Sequence, residues 1–318
     1  MNTNYFFGKK VLITGITGFI GSHLARTLES FGAEVYGISR TKKAKNIYPI
    51  DILNFDKLEQ LVKKKKISIC FYLAAESLVE SGHDNPYHTF HTNVLGTLNI
   101  LELARIHALE KVIISSSSHV YGDNKLPYKE KYTPKPTRPY ETSKTCTDII
   151  AQSYADSFNL PVLIGRFINI YGPGDKNFNR LIPKTIKSVF TGDSPTMWGG
   201  RVIREYLFID DAISAYLTLA MHTPPQIKSN RIFNFGSGTK MAVEEVINKI
   251  ILLTGINTTI LTIPTARVDE IKKQYVSWTK AKRVLGWKPQ VRFDEGLQKT
   301  VLWYKDYFKK TKHTSKEF

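Results

Sequence analysis

Short apolar runs alternate with amphipathic stretches through the first half of this 318-residue chain. The apolar runs predict buried strands at residues 11–13, 34–38, 50–52, 67–75 and 111–115. The intervening and following stretches at residues 55–66, 84–107 and 140–158 have the longer periodicity of helices. Parallel strands that are covered on both faces read as continuous apolar runs. The alternation therefore predicts an α/β protein with a doubly wound parallel sheet.

Three glycines follow the first apolar run, in the segment TGITGFIGSHL. Gly15 permits a sharp turn out of the strand, Gly18 lets main-chain N–H groups approach a pyrophosphate, and Gly21 lets the next helix pack closely on the sheet. The start of that helix also offers unpaired N–H donors and the positive end of its dipole to phosphates. A strand, a glycine-rich turn and a helix in this order predict a dinucleotide site in a Rossmann-type fold.

The end of the second strand indicates which dinucleotide binds. In this fold an acidic residue there accepts from the ribose 2′-hydroxyl of NAD, whereas an arginine suits the 2′-phosphate of NADP. Here the position carries Ser39, followed by Arg40, with Lys42 and Lys43 close behind. A guanidinium pairs well with a phosphate, so the sequence predicts NADP(H) as the preferred cofactor, with NAD as the alternative.

A second pattern starts after the fifth strand, which ends in the serine-rich segment SSSSHVYG. After a proline-rich loop, YETSK opens a helix in which Tyr140 and Lys144 are four residues apart and so share a face. An ammonium beside the phenol is expected to lower the pKa of Tyr140 and make it a usable general acid/base for a substrate hydroxyl or carbonyl. A serine from the strand end would complete the pair of groups that bind the reacting oxygen.

With these motifs the chain resembles the extended short-chain dehydrogenase/reductase family, in its nucleotide-sugar epimerase, dehydratase and reductase branch. The resemblance covers nearly the whole chain and rests on TGITGFIGSHL, LAAES, NVLGTLN, SSSSHVYG, YETSK, GRFINIYGPGD, REYLFIDD and KAKRVLGWKP. It implies an NAD(P)-binding Rossmann domain over residues 1–172, with a strand near 232–236 returning to the main sheet. Residues 173–318 would form most of a smaller mixed α/β C-terminal lobe that binds the nucleotide sugar, interleaved with the first domain.

The resemblance also implies roles for individual residues. Ser117, Tyr140 and Lys144 would be catalytic, with Lys144 also holding the nicotinamide ribose. The predicted cofactor contacts are Gly15, Thr17, Gly18, Phe19, Ile20, Arg40, Asp51, Ile52, Leu73, Ala74, Ala75, Tyr140 and Lys144. The implied substrate contacts are Ser77, Ser117, Ser118, His119, Asn169, Asn179, Leu181, Arg204 and Arg267, with Asn169, Arg204 and Arg267 at the diphosphate. No metal site is predicted.

Family chemistry begins with hydride transfer between C4 of a sugar and the nicotinamide. A 4-keto-sugar reductase or a 4-epimerase needs only the serine, tyrosine and lysine, and these reactions are expected first. The alternative is a nucleotide-sugar 4,6-dehydratase of the CDP-glucose or GDP-mannose type. Resembling dehydratases carry an acidic residue just after the serine, where this chain has Ser118 and His119. His119 is an acid/base candidate there, but no carboxylate is present. Glu141, adjacent to the tyrosine, is a candidate substitute, although its helical position is expected to point elsewhere. A non-catalytic NADP-binding regulator is a remote alternative, because such proteins typically lose the tyrosine or the lysine.

Composition limits the remaining classes. The net charge of +17 is typical of nucleic-acid-binding proteins, but the lysines are spread along the chain and no nucleic-acid motif accompanies them. A basic surface also attracts an anionic nucleotide sugar. No apolar run approaches the roughly 18 residues of a membrane span, so no membrane partner is expected. Cys70 and Cys146 are expected to be reduced thiols of a cytoplasmic protein. The resemblance implies a homodimer through the helices at 84–107 and 143–158.

Overall fold

The computed structural model describes residues 3–199, 202–223, 231–264 and 271–314. Its strands are β1 (Lys10–Thr14), β2 (Glu34–Ser39), β3 (Ile47–Pro49), β4 (Ile69–Tyr72), β5 (Lys111–Ser117), β6 (Val162–Phe167), β7 (Asn169–Tyr171), β8 (Thr196–Trp198), β9 (Ile203–Phe208), β10 (Ile232–Phe235), β11 (Lys240–Ala242), β12 (Leu261–Ile263) and β13 (Lys273–Gln274). Its helices are α1 (Phe19–Ser30), α2 (Phe55–Lys65), α3 (Val79–Asp84), α4 (Pro86–Phe90), α5 (Gly96–Ile106), α6 (Pro139–Ser157), α7 (Leu181–Thr191), α8 (Ile209–Met221), α9 (Val243–Thr254) and α10 (Phe293–Thr314). Short 3₁₀ segments lie at Thr3–Phe6 and Ser118–Tyr121, and π-helical turns at His91–Leu95 and Ala281–Leu285.

Seven of these strands form one parallel sheet in the order β10-β6-β5-β4-β1-β2-β3. The chain moves outward from β1 through β2 and β3, and then returns to the other side of β1 at β4. The strand order therefore reverses between β1 and β4. The predicted doubly wound, Rossmann-type sheet is confirmed, and ligands of such sheets bind at the carboxyl ends of the strands where the order reverses.

The apolar runs become central strands because helices cover both faces of the sheet. Val11 and Ile13 of β1 face one core, which also contains residues of α1 and α8. Leu12 faces the opposite core, which contains residues of α2, α5 and α6. All three side chains are fully buried. Successive residues of each strand thus face opposite helical layers, as the pleat requires.

Two predicted elements differ from the structure. The strand expected at 50–52 is wrong: β3 ends at Pro49, and the Asp51 carboxylate accepts from the Leu53 N–H at 2.9 Å in the turn that follows. The helix expected at 84–107 is present but starts at Pro86: Asn85 separates it from α3, and α4, the π-helical turn and α5 then follow one another without a gap to Ile106. The Asn85 side chain accepts from the His88 N–H at 3.0 Å and so caps α4, while Pro86 occupies its first turn.

The later part of the chain builds smaller sheets beside the large one. Strands β11, β9 and β13 pair in that order, with β7 also paired to β9, and β8 pairs with β12. Strand β10 instead lies at the edge of the large sheet, parallel to β6. Helices α7, α9 and α10 pack against one another. This arrangement places the start of α7 and the strands β7 and β9 across a cleft from the carboxyl ends of β1, β4 and β5.

Candidate active site

The turn from β1 into α1 is built from close main-chain contacts that leave no room for side chains. Gly15 has a φ of +70°, and a Cβ there would lie 3.2 Å from the Cα of Ala74, just after β4. A Cβ on Gly21 would lie 2.3 Å from the carbonyl oxygen of Gly15. Gly18 is the N-cap of α1 and supplies no capping side chain. The first N–H groups of α1 therefore face the cleft, which fits the pyrophosphate of a dinucleotide.

Thr14 fixes the two strand ends between which the sheet order reverses, a role that the sequence motifs did not indicate. Its Oγ1 accepts from the N–H groups of Leu73 and Ala74, at 3.0 and 2.9 Å. Thr14 itself is fully buried. A polar residue that ends an apolar strand is the signal that would have revealed this role. The two hydrogen bonds hold the LAAES segment beside the glycine turn.

Asn93 connects the same segment to helix α6. Its side-chain amide donates to the Glu76 carbonyl at 3.0 Å and to Ser143 Oγ at 2.9 Å. Its oxygen accepts from the Glu76 N–H at 2.8 Å. Only 1 % of Asn93 is exposed, so this hydrogen-bonded amide is a rigid support in the interior. The distance between the end of β4 and the start of α6 is thereby fixed.

The end of β2 lies at the part of the cleft where the sequence predicts the adenosine ribose. Ser39 Oγ accepts from the Lys42 N–H at 3.2 Å and from the Thr17 hydroxyl at 3.3 Å. Arg40 is exposed, lines the cleft, and has no hydrogen bond or ion pair within the described ranges of the chain. Asp51 also lines the cleft and is exposed. The Arg40 guanidinium is therefore available to a phosphate.

Ser117, Tyr140 and Lys144 meet at the carboxyl end of β5. Ser117 is the last residue of β5, and Tyr140 stands in the first turn of α6. All three line the cleft, and none is more than 8 % exposed. The Lys144 ammonium donates to the Ser115 carbonyl at 2.9 Å, so the strand that carries Ser117 also fixes the lysine. The predicted one-turn spacing thus brings both helical side chains to the strand end.

The acid–base properties of these groups differ from the expectation in one respect. Burial raises the pKa of Tyr140, against a hydrogen bond with Ser117 and the positive charge of Arg180, which both lower it. Burial also lowers the pKa of Lys144 to about 8. The expectation that Lys144 lowers the pKa of Tyr140 is therefore wrong for this structure, because desolvation outweighs the favourable charges.

Arg180 is a cleft residue that is not among the individually predicted contacts, although the resemblance implies that its loop, residues 177–183, lies under the nucleotide. It precedes α7 and donates from Nη1 to the Asp175 carboxylate at 3.0 Å, while Nη2 donates to Ser77 Oγ at 3.4 Å. Asp175 is 2 % exposed and is held by its own chain, since it accepts from the Asn177 N–H at 3.1 Å. This buried carboxylate directs the guanidinium across the cleft toward the segment that follows β4.

Glu141 lies under the cleft and is not part of its lining. The prediction that it points away from Tyr140 agrees with this position, but its side chain contacts His119 at 3.3 Å. The Arg138 guanidinium also binds it. His119, in contrast, lines the cleft and lies 5.9 Å from the Tyr140 ring, measured between ring centroids.

A single cleft of about 2200 Å³ brings most of the predicted residues together. The predicted residues in its lining are Gly15, Thr17, Gly18, Phe19, Ile20, Arg40, Asp51, Ile52, Leu73, Ala74, Ala75, Ser77, Ser117, His119, Tyr140, Lys144, Asn169, Asn179, Leu181 and Arg204. Ser118 is not in this lining: it begins the 3₁₀ turn after β5 and is buried outside the cleft wall. Arg267 lies outside the described residues.

Membrane spans and metal clusters are both absent from the described ranges. There, no helix has both the length and the apolar character that a membrane span requires. In the same ranges, no three His, Cys, Asp or Glu side chains gather in an arrangement suited to a metal ion.

Comparison with known proteins gives the family. The model of the NAD dependent epimerase/dehydratase family matches residues 11–236. A UDP-N-acetyl-alpha-D-glucosaminuronate decarboxylase of Bacillus cytotoxicus is 32% identical, over 94% of this chain and 98% of its own. The UDP-glucose 4-epimerase of Thermotoga maritima, solved with UDP-glucose, superposes with a TM-score of 0.87 at 27% identity, over 94% of this chain and 99% of its own. The UDP-glucose 4-epimerase of Thermus thermophilus, solved with NAD, gives a TM-score of 0.85 at 25% identity, over 93% of this chain and 99% of its own. The chain therefore belongs to the NAD dependent epimerase/dehydratase family, whose members are NAD-dependent enzymes.

Proposed function

We propose that this enzyme modifies a nucleotide-diphosphate sugar by hydride transfer at C4 of the sugar. One observation carries the proposal: a single cleft joins the glycine turn, where a dinucleotide fits, to Ser117, Tyr140 and Lys144. The relatives described above act on nucleotide sugars, and their similarity extends over nearly the whole chain. Residues 1–172 with β10 would hold the dinucleotide, and most of residues 173–318 would hold the nucleotide sugar.

The residues at the end of β5 and the start of α6 have complementary roles in this reaction. When bound, the dinucleotide supplies the acceptor and donor of the hydride. Ser117 and the Tyr140 hydroxyl bind the C4 oxygen, and Tyr140 takes its proton as C4 is oxidised and returns it on reduction. Lys144, held by the Ser115 carbonyl, is in place to bind the nicotinamide ribose. Burial of all three residues keeps water from the reacting oxygen.

The opposite wall supplies the substrate contacts. Asn169 begins β7, Arg204 lies in β9, and Asn179 and Leu181 flank the start of α7. With Ser77 and His119 these residues line the cleft. We assign the substrate diphosphate to Asn169 and Arg204, because a guanidinium and an amide provide the donors that phosphate oxygens accept.

The reaction that we favour is 4-epimerisation or reduction of a 4-keto sugar. Both reactions need only Ser117, Tyr140 and Lys144, which the cleft brings together. A 4,6-dehydratase is the second candidate, because His119 lies beside Tyr140 and pairs with a buried carboxylate.

We further propose that NADP(H) is the preferred dinucleotide. Support comes from Arg40, which lines the cleft and has no hydrogen bond or ion pair among the described residues, since a 2′-phosphate would pair with it. The variant Arg40→Asp should shift the ratio of kcat/KM values from NADP toward NAD by about tenfold or more. Lys43→Asp is the matched control, because Lys43 lies in the same loop but outside the cleft lining. Equal shifts in both variants would remove Arg40 from cofactor recognition.

We also propose a cytoplasmic homodimer. The helical surface formed by α4 to α6 exposes several large apolar side chains: Tyr87, Leu95, Ile106, Ile149 and Phe158. Such a patch is unusual on a monomer and suits a self-complementary interface. Light scattering after gel filtration should give twice the chain mass of 36.2 kDa. A monomer under these conditions would contradict this part of the proposal.

The first experiment identifies any dinucleotide that the purified protein releases on denaturation. A stoichiometric oxidised dinucleotide would favour an epimerase or a dehydratase, since these enzymes return the hydride within one cycle. A protein that is isolated empty and then binds NADPH would favour a reductase. A protein that neither releases nor binds a dinucleotide would contradict the proposed function.

A further inference from the structure

A fully buried ion pair lies one helical turn beyond Lys144. Arg166 of β6 donates from Nε and Nη2 to Asp148 Oδ2 of α6, at 2.6 and 2.5 Å. Neither side chain is more than 2% exposed, and neither lines the cleft. In a protein interior, an apolar pair of similar volume is often at least as stable as an ion pair. Stability alone therefore does not account for these two charges.

The ion pair leaves polar atoms without partners. Asp148 Oδ1 and Arg166 Nη1 are buried and have no hydrogen-bond partner within the described part of the chain. Ser116, which is opposite Arg166 in the register of β5 and β6, also has a buried hydroxyl without such a partner there. One oxygen of the Asp148 carboxylate thus carries negative charge that no hydrogen bond compensates. In an interior of low dielectric constant, such a charge acts strongly on its neighbours.

Lys144 is the neighbouring cation on the same face of α6. Residues four apart share a face of a helix, and Lys144 precedes Asp148 by four. Both side chains reach the sheet from that face. The Lys144 ammonium donates to the Ser115 carbonyl at 2.9 Å, while Asp148 binds Arg166, the register partner of Ser116. The ammonium and the carboxylate therefore lie against consecutive positions of β5.

Burial and the Asp148 charge act on Lys144 in opposite directions. Burial lowers the pKa of Lys144, the Asp148 charge raises it, and the balance is about 8. Glu102 and Arg105 of α5 pair with each other instead. The other charged or titratable groups that the elements packed on α6 bring to this end of the helix are Glu80, His83, Asp84, His88, His119 and Arg166. Among the described residues, Asp148 is the one whose charge changes the pKa of Lys144.

We propose that Asp148, fixed by Arg166, is the counter-ion that keeps the Lys144 ammonium charged during the reaction. This inference rests on the proposed function, in which Tyr140 accepts the proton of the sugar hydroxyl. Tyr140 accepts that proton as a phenolate, which a neighbouring ammonium stabilises and a neutral amine does not. Asp148 and Arg166 are positioning residues, because they lie outside the cleft and act through Lys144.

A second aspartate–arginine pair on the same helix provides a matched control. Asp156 Oδ1 lies 3.7 Å from Nε of Arg231, which is buried. Neither residue lines the cleft, and Asp156 is near the far end of α6. Asp156→Asn therefore leaves a buried arginine without its carboxylate, as Asp148→Asn does, but away from Lys144.

The first measurement follows Lys144 itself and does not depend on turnover. The full-length protein is labelled with lysine that carries ¹³C at Cε, and loss of a signal in Lys144→Met assigns Lys144. An NMR titration of the wild type and of Asp156→Asn should give a pKa near 8. Asp148→Asn should lower it to about 7 or below, since a nearby opposite charge changes a pKa by about one unit or more. Asp148→Glu keeps the charge and should restore most of the difference.

The pH dependence of hydride transfer is the second measurement. With a pKa of about 7 instead of 8, the charged fraction of Lys144 at about pH 7.5 falls from roughly three quarters to roughly one quarter. Asp148→Asn should therefore lower the rate about threefold there and change it little near pH 6, where Lys144 is charged in both proteins. Asp156→Asn should leave the profile unchanged. A loss in Asp148→Asn that is equal at both pH values would reflect a structural defect and would overturn the proposed role.

The outcomes separate this inference from the proposed function. An unchanged Lys144 pKa in folded Asp148→Asn overturns the inference, whatever rate is measured. A lowered pKa supports the counter-ion role even where the wild type transfers no hydride, and that second result would instead contradict the proposed function. If Asp148→Asn does not fold, the double variant Asp148→Asn/Arg166→Met decides, because it buries no unpaired charge. Its Lys144 pKa should also be about 7 or below, and a value that remains near 8 overturns the inference.

Discussion

The two walls of the cleft are built in different ways. The glycine turn at the end of β1 is a wall of main chain, in which Gly15 and Gly21 approach other backbone atoms too closely for a side chain. The wall formed by β5 and α6 consists of side chains, several of them buried ionisable groups. Its members Ser117, Tyr140 and Lys144 come from two separate segments.

The difference shows how each wall affects stability. A wall of main chain packs closely against other backbone atoms, and it offers N–H groups to a ligand without burying a charge. The side-chain wall removes an ammonium and several polar groups from water, which is unfavourable until a ligand or a reaction makes use of them. We therefore expect that damage to the first wall weakens the fold and binding together. Substitutions in the second wall should lower activity without lowering the free energy of unfolding.

The largest effect should come from the Tyr140 hydroxyl. Tyr140→Phe should lower the rate of hydride transfer about 1000-fold, because it removes the proton-transferring group and keeps the ring. Nicotinamide absorbance measures the rate, and equilibrium titration checks that dinucleotide binding persists. Tyr72→Phe is the matched control: that hydroxyl is buried and donates to the Asn93 carbonyl, and Tyr72 lies outside the cleft lining. Retention of most activity in Tyr140→Phe would remove Tyr140 from its proposed role.

Lys144→Met should abolish activity and raise the stability of the fold. Burial lowers the Lys144 pKa from 10.5 to about 8, so the folded state carries a desolvation penalty at neutral pH. Its removal should raise the free energy of unfolding by about 2 kcal/mol, net of the lost hydrogen bond to Ser115, while activity disappears. The penalty is complete below pH 8 and vanishes as the pH approaches 10.5, so the advantage of the variant should shrink over that range.

Urea unfolding at several pH values measures this effect. Lys9→Met is the control, because Lys9 is partly exposed and paired with Glu110, and it should give no gain. A Lys144→Met variant that is less stable than the wild type would show that burial of the lysine charge does not destabilise the fold.

Gly21→Ala tests the main-chain wall. The added Cβ would meet the Gly15 carbonyl oxygen at 2.3 Å, so the backbone must shift. We expect a loss of about 1–3 kcal/mol in the free energy of unfolding, together with weaker dinucleotide binding. Gly18→Ala is the comparison, since its Cβ would lie 3.2 Å from the same oxygen and should destabilise the fold much less. Equal stability losses in the two variants would contradict the geometry of the turn.

The smallest effect should come from Arg180→Gln. The positive charge of Arg180 lowers the pKa of Tyr140, so its removal should raise that pKa and move the acidic limb of the pH–rate profile up by about half a unit. Arg180→Lys should restore most of the shift, because it keeps the charge. Lys184→Gln, one turn further along α7 in the same cleft, should leave the limb in place. An unmoved limb in Arg180→Gln would mean that its charge does not reach Tyr140.

Local patterns predicted much of the site. The glycine turn, the strand end at Ser39 and Arg40, and the one-turn spacing of Tyr140 and Lys144 are all contiguous in sequence, and the structure places them in one cleft. The strand expected at 50–52 failed because a short apolar run carries little information about its register. The helix expected from residue 84 starts at Pro86, because the Asn85 cap and the proline decide its first residue, which periodicity does not specify.

The sequence by itself determined the fold class, the glycine turn and the spacing of tyrosine and lysine, because the alternation of apolar and amphipathic segments and the local motifs can be read without knowing which segments touch. Only the tertiary structure decided the pKa values of those groups and which further residues they contact. Desolvation, which depends on everything packed around a side chain, raised the Tyr140 pKa where the local pattern predicted a lower one. Likewise, His119 and Glu141 meet because β5 and α6 pack together across 22 residues of chain, a contact that no local spacing encodes.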